Sequence, residues 1–208
     1  MKVTRKNIFE FNQALRNKTP RAIASWAISL GKRPILTTNF GPRSASLIHL
    51  MSKVDRRIPV IWCDTGYNTF YTHDYAKGLQ QNLKLNLKIY RPLSTLAQRD
   101  SRFGGIPMPA DPKHKKFTEE VKLEPFRRAL DEQQPDVWFT NLRRGQTAFR
   151  DTLDILSFSK EGILKVSPFY YWSDHQIDAY LAAHQLPNET KYFDPTKCFQ
   201  NRECGLHG

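Results

Sequence analysis

The sequence predicts an α/β fold, a mostly parallel sheet with helices on both faces, followed by a C-terminal tail. Three observations predict it. Short apolar runs alternate with longer segments of helical periodicity along the chain. The connections between them are short, as strand–helix–strand crossovers require. Three of the runs end in polar loops, the usual ligand-binding position at the carboxyl edge of such a sheet.

The first clear helix opens at Thr19-Pro20, with Thr19 as N-cap and Pro20 at the first helical position. Ile23, Trp26, Ala27 and Leu30 follow at helical spacing, and Gly31 ends it. Pro34-Ile35-Leu36-Thr37-Thr38 reads as the first strand and residues 44–51 as the next helix. Ile58-Pro59-Val60-Ile61-Trp62-Cys63 is the second strand, followed by a helix over 69–83 and a third strand at Leu87-Lys88-Ile89-Tyr90. Residues 98–116 are rich in Gly, Pro, Lys and Arg and read as a long, mobile loop. A helix is expected over 122–130, with Pro125 near the start of its regular part. Val137-Trp138-Phe139-Thr140 and Ile163-Leu164-Lys165-Val166 are the fourth and fifth strands. Ser173-Asp174-His175-Gln176 has the form of a capping box, and its helix turns Ile177, Tyr180 and Leu181 inward. From Gln185 the pattern dissolves into a polar tail, which divides the chain into an α/β domain over 1–184 and a tail over 185–208.

The 208 residues suit one domain with an extension. No apolar run approaches the ~20 residues of a membrane span. The segment from Met1 to Asn7 lacks the apolar core of a secretory signal, so a cytoplasmic location is expected. Lys and Arg exceed Asp and Glu by 32 to 20, a formal charge of +12, which suits an anionic partner. The three cysteines, Cys63, Cys198 and Cys204, are too few and too widely spaced for a disulfide framework or a zinc site, and no metal is expected.

Three loops and one cysteine can carry chemistry. In Thr37-Thr38-Asn39-Phe40-Gly41-Pro42-Arg43-Ser44, hydroxyls and a glycine lie between a strand and a helix start. Backbone N–H groups there suit a phosphate or sulfate, although an ordinary strand–helix turn has the same pattern. Asp64-Thr65-Gly66-Tyr67 offers a carboxylate for a ribose hydroxyl or adenine amine and a glycine for close approach, or simply an Asp-Gly turn. Arg143 and Arg144, with Arg150 nearby, offer planar forks of donors to a multiply charged anion, or form a solvated basic turn. Cys63 sits in an apolar strand, as structural cysteines do, whereas Cys204 sits in the polar tail beside Gly205, as an exposed reactive thiol or simply an inert terminal cysteine. Arg202 and His207 would lower the pKa of the Cys204 thiol, and Glu203 would raise it.

Together these pieces resemble the phosphoadenylyl sulfate (PAPS) reductase family. Glu203-Cys204-Gly205-Leu206-His207 is similar to the family's catalytic tail. Thr38-Asn39-Phe40-Gly41 resembles its modified pyrophosphatase-type (PP-loop-like) loop, and 58–67 its second motif. Lys122-Leu123-Glu124-Pro125 resembles a Lys-x-x-Pro element, and Leu142-Arg143-Arg144-Gly145-Gln146-Thr147 the paired-arginine loop. The motifs fall in the family's order and span the chain from about residue 20 to the end.

The resemblance implies an adenine-nucleotide hydrolase-like fold and a reductase of PAPS with Cys204 as catalytic nucleophile. It implies substrate contacts from Thr38, Asn39, Phe40, Gly41, Asp64, Thr65, Gly66, Lys122, Arg143, Arg144, Arg150, Arg202 and His207. Thioredoxin or glutaredoxin would be the reductant, and the enzyme a homodimer. One branch of the family reduces adenylyl sulfate (APS) with an iron–sulfur cluster. Phe117 and Thr118 stand where that branch has paired cysteines, and three cysteines fall short of the roughly four thiolates a four-iron cluster takes. No cluster is therefore expected, which favours PAPS over APS. The chain departs from the family between the Ser173 helix and the tail, where it is shorter, lacks a basic tryptophan-containing stretch and carries Cys198 instead.

Two other classes compete. An ATP pyrophosphatase-type adenylating or sulfur-transfer enzyme would share the fold, but its loop usually reads Ser-Gly-Gly-x-Asp-Ser. Phe40 and Arg43 here suit sulfate better than magnesium pyrophosphate. A nucleic-acid-binding module would use the positive charge, but the basic residues are scattered and no recognition motif is present, so no nucleic-acid partner is expected.

Overall fold

The computed structural model describes residues 2–31 and 33–197. Six strands form one sheet: β1 (Pro34–Thr38), β2 (Pro59–Cys63), β3 (Asn86–Tyr90), β4 (Val137–Phe139), β5 (Leu156–Phe158) and β6 (Leu164–Val166). Their order is β3-β2-β1-β4-β6-β5, and all pairs are parallel except β5 with β6. The chain runs outward from β1 through β2 to β3, then returns to place β4 on the other side of β1. The β1–β4 boundary is therefore the switch point, where open α/β sheets take their ligands.

Side chains alternate across the sheet as the strand period demands. Leu36, Val60, Trp62, Val137 and Phe139 enter one core, while Ile35, Ile61 and Trp138 enter the other. The first core is closed by α1 (Ile8–Leu15), α2 (Pro20–Leu30), α3 (Ser44–Val54), α4 (Phe70–Leu83) and α9 (Asp174–Ala183). On the opposite face α7 (Glu124–Gln133) supplies Phe126, Ala129 and Leu130. The expected helices on both faces are present. The sequence reading missed β5, α8 (Ala148–Asp151) and α1, and it read residues 98–116 without helix.

Residues 98–116, expected as a mobile loop, instead contain most of α5 (Leu96–Phe103) and part of α6 (Lys113–Thr118). Thr95 and Gln98 form a reciprocal capping box, and Gly104 ends α5 at a φ of 72°. Phe103 and Phe117 meet edge-on with centroids 5.6 Å apart, and with Val121 they make a small separate core. Composition concealed this, because two aromatics suffice to anchor a segment otherwise rich in Gly, Pro and cations.

A single π-helical turn, Glu119–Leu123, joins α6 to α7. Pro125 is the second residue of α7 and has no N–H to donate to the residue four back. The wider turn accommodates that missing bond and presents Lys122 inward. No helix among the described residues is long and apolar enough to cross a membrane.

Candidate active site

The loops after β1, β2 and β4 lie at the carboxyl edge of the sheet, and a segment from the chain's far end lies against two of them. Thr38 Oγ1 accepts the Phe40 N–H at 3.0 Å, and Asn39 Oδ1 accepts the Gly41 N–H at 3.1 Å. These short bonds hold Phe40 in a left-handed conformation, with a φ of 52°, and Arg43 is left-handed too, at 61°. Phe40 is fully buried, its ring edge-on to Trp62 at 5.0 Å, so only its backbone faces the loop's surroundings. The donors expected to face an anion are thus engaged within the protein. The Arg43 N–H completes the pattern by donating to Asn188 Oδ1 at 2.7 Å.

Asp64 is 2% exposed and fully engaged. Its carboxylate accepts the Gly66 N–H at 3.1 Å, Asn68 Nδ2 at 3.0 Å and Arg91 Nε at 3.0 Å. Thr65 accepts the Tyr67 N–H through its hydroxyl and Arg99 through its carbonyl. Gly66, at φ 80°, has no room for a side chain, since a Cβ would stand 2.7 Å from the Arg99 guanidinium. The Asp64 loop is therefore a rigid, arginine-buttressed turn.

The paired arginines diverge. Arg144 is exposed, with its N–H bound to the Tyr170 carbonyl at 2.9 Å. Arg143 is 4% exposed: its Nη2 reaches Asp174 at 2.5 Å and its Nη1 the Trp172 carbonyl at 3.3 Å. Its Nε is buried and has no partner among the described residues, and neither does Asn141 Oδ1 in the same loop. Gln146 Oε1 accepts both the Arg143 N–H at 3.0 Å and Arg150 Nη1 at 2.5 Å, which ties Arg150 to the loop. Asn141 Nδ2 donates to the Arg43 carbonyl at 3.3 Å and so links the loops on the two sides of the switch point.

Lys122 is buried, with Nζ 2.5 Å from Asp194 Oδ2 and 3.2 Å from Thr196 Oγ1. Burial would raise the Asp194 pKa, but the Lys122 charge and hydrogen bond, with those from Thr196, hold it below the ordinary carboxylate range. Asp194 belongs to the segment 187–196, which packs on both early loops. Tyr192 Oη accepts Asn39 Nδ2 at 2.8 Å, and the Lys191 carbonyl accepts Thr69 Oγ1 at 3.3 Å. A Cβ on Gly41 would press the Tyr192 ring at 3.2 Å.

The structure thus brings Thr38, Asn39, Phe40 and Gly41 together with Lys122 through Tyr192 and Asp194, and Arg143 together with Arg43 through Asp174. Asp64, Thr65 and Gly66 form a neighbouring turn. Cys198, Arg202, Cys204 and His207 lie outside the described residues. Sequence reading missed Asn141, Asp174, Asn188, Tyr192 and Asp194. Asp174 was visible only as part of a capping box, and the others lie in loops or the apparent tail, where no periodicity marks a packed residue.

The phosphoadenosine phosphosulfate reductase domain family model matches residues 33–194. The phosphoadenosine 5′-phosphosulfate reductase of Xylella fastidiosa strain 9a5c is 35% identical over 205 residues, covering 88% of this chain and 86% of that protein. The protein of that name from Proteus mirabilis is 32% identical, covering 95% and 90%. Among solved structures, the PAPS reductase of Candida auris in a phosphate complex aligns with a TM-score of 0.80 at 22% identity, covering 91% of each chain. An NH3-dependent NAD synthetase from Campylobacter jejuni shares the fold at a TM-score of 0.56 and 12% identity, covering 84% of this chain and 74% of its own. A domain match over most of the chain, with relatives above 30% identity along nearly its whole length, shows that the chain belongs to the phosphoadenosine phosphosulfate reductase family.

Proposed function

We infer that the chain reduces 3′-phosphoadenylyl sulfate to sulfite and adenosine 3′,5′-bisphosphate. The observation that carries this reading is Arg143, a buried cation at the switch point whose Nε has no partner among the described residues. Such a donor calls for an acceptor from a ligand. Family membership supplies the substrate class, since its named relatives are reductases of this nucleotide.

The Cys204 thiolate attacks the sulfur of the sulfate group. A sulfur–sulfur bond forms while the bond from that sulfur to the bridging phosphate oxygen breaks. The electron pair leaves on adenosine 3′,5′-bisphosphate, and the enzyme holds an S-sulfocysteine. A reduced dithiol protein of the thioredoxin or glutaredoxin class then attacks Sγ of Cys204, and sulfite departs with the electron pair. The partner's second thiol resolves the mixed disulfide and restores the Cys204 thiol. Two electrons pass from dithiol to sulfur.

Thr38, Asn39, Phe40 and Gly41 shape the nucleotide's edge of the site as a loop fixed by its own hydrogen bonds, with Asp64, Thr65 and Gly66 as the adjoining wall. Lys122, Arg143, Arg144 and Arg150 balance the phosphate and sulfate charge. Arg202 and His207 act beside Cys204. The +12 charge draws the polyanion in. Three cysteines favour a cluster-free enzyme, which fits PAPS rather than APS. A homodimer completes the proposal, with no nucleic-acid partner.

Sulfite release tests it. Protein, PAPS, thioredoxin and its reductase should yield sulfite, with little from APS and none from Cys204→Ser. Folded protein that releases no sulfite from either nucleotide overturns the reading, and pyrophosphate from magnesium ATP would assign the site to adenylation instead.

A further inference from the structure

Asp174 is the first residue of α9, just after the Ser173 cap, where a carboxylate is favoured by the helix dipole. Each of its oxygens holds a different arginine. Oδ1 accepts Arg143 Nη2 at 2.5 Å, and Oδ2 accepts Arg43 Nη1 at 2.9 Å. Arg43 stands in the loop after β1 and Arg143 in the loop after β4, the two loops that flank the switch point. Asp178, one turn along α9, takes the remaining nitrogens of Arg43, Nε at 2.7 Å and Nη2 at 2.8 Å.

The two arginines are therefore held differently. Every guanidinium nitrogen of Arg43 is engaged by α9, so Arg43 serves as a brace. Arg143 is fixed at two nitrogens, by Asp174 and the Trp172 carbonyl, and its buried Nε has no partner among the described residues. A guanidinium is planar, so fixing two nitrogens fixes the direction of the third N–H. We propose that Asp174 is a positioning residue for the anionic substrate: it aims Arg143 Nε at a phosphate or sulfate oxygen and sets the spacing of the two loops. This rests on the reading of Arg143 as a substrate ligand. The Asp174 side chain is itself 61% exposed, so it acts by orientation rather than by supporting the core.

Electrostatics alone predicts the opposite effect. Removing Asp174 adds one unit of positive charge near a polyanion and would tighten binding. Orientation and charge therefore give different signs, which makes the test decisive. PAPS is titrated calorimetrically into Cys204→Ser protein, which cannot turn it over, and into the same protein carrying Asp174→Ala, Asp174→Asn, Arg143→Ala, or Asp174→Ala with Arg143→Ala. Melting temperature is read on each.

Asp174→Ala should weaken binding by about tenfold or more, the lower range for a hydrogen bond to a charged group. Asp174→Asn, which keeps one acceptor oxygen, should lose less, with melting temperatures close to the parent. In the Arg143→Ala background, removing Asp174 should cost far less than it does alone, because its target is gone. Binding unchanged or tightened in Asp174→Ala, while Arg143→Ala binds weakly, overturns the positioning role and leaves the site reading standing. Normal binding by Arg143→Ala overturns the site reading itself. If Asp174→Ala melts early, the Asp174→Asn and double-variant arms decide, and equal losses with and without Arg143 contradict the proposal.

Discussion

Lys122 Nζ lies 2.5 Å from Asp194 Oδ2, a buried ion pair that ties a π-helical turn to a segment 72 residues later in the chain. The pair fastens the segment 187–196 across loops that begin at the opposite end of the domain. Tyr192 extends the tie by accepting from Asn39 and donating to Asp194.

Breaking that pair on one side should be costly. Lys122→Ala strands a buried carboxylate and should destabilise the protein by about 3–5 kcal/mol. Replacing both partners with apolar residues, Lys122→Met with Asp194→Leu, should recover much of the loss. Because the Asp194 pKa is lowered in the fold, its contribution is complete above the unfolded value near pH ~4 and is lost as pH falls through the lowered folded value. Urea unfolding of wild type and Asp194→Asn from neutral to acid pH should show the gap closing only at the acid end. A gap constant with pH would mean that Asp194 is not the group being read.

Tyr170 clamps the arginine loop. Its hydroxyl donates to the Arg150 carbonyl at 2.7 Å and the Leu153 carbonyl at 2.6 Å, while its own carbonyl accepts the Arg144 N–H. Burial, then the nearby Tyr171 and aspartates, push its pKa up to about 12, so it remains a donor. Tyr170→Phe should cost about 1 kcal/mol, equivalent to about 2–4 °C in melting temperature. If the loop binds substrate, KM for PAPS should rise as well, which steady-state kinetics would report.

His49 makes stability pH-dependent near neutrality. Its Nδ1 is 2.9 Å from Tyr180 Oη, and its ring centroid is 4.6 Å from that of His184. Burial, then the His184 and Lys53 charges, lower its pKa. The neutral ring's contribution is therefore complete above about pH 6.5 and is lost as pH falls through the lowered folded value. Melting temperatures of wild type should drop more steeply than those of His49→Gln on acidification from about pH 6.5.

The parallel sheet was legible because its strands are short apolar runs separated by segments of helical periodicity, from Ile35 to Val166. The helices were legible where a cap and a periodic face coincide, as at Thr19 and Ser173. What escaped were elements too short for periodicity, such as β5 and α8, and the α5–α6 region, where Phe103 and Phe117 supply order that composition hides. In the candidate site, the loop residues that match family motifs could be named in advance. Their partners could not: Asp174, Asn188, Tyr192 and Asp194 act across 31 to 153 residues of sequence, and only folding brings them into contact.

The central claim is that Cys204 takes the sulfonate from PAPS before any reductant acts. Reduced protein mixed with PAPS alone, quenched and digested, should show a sulfonate adduct on the peptide carrying Cys204. One adenosine 3′,5′-bisphosphate should be released per adduct, and thioredoxin should discharge the adduct as sulfite. Sulfite formation by an enzyme that never carries the adduct, or an adduct on Cys63 or Cys198 instead, would contradict the account.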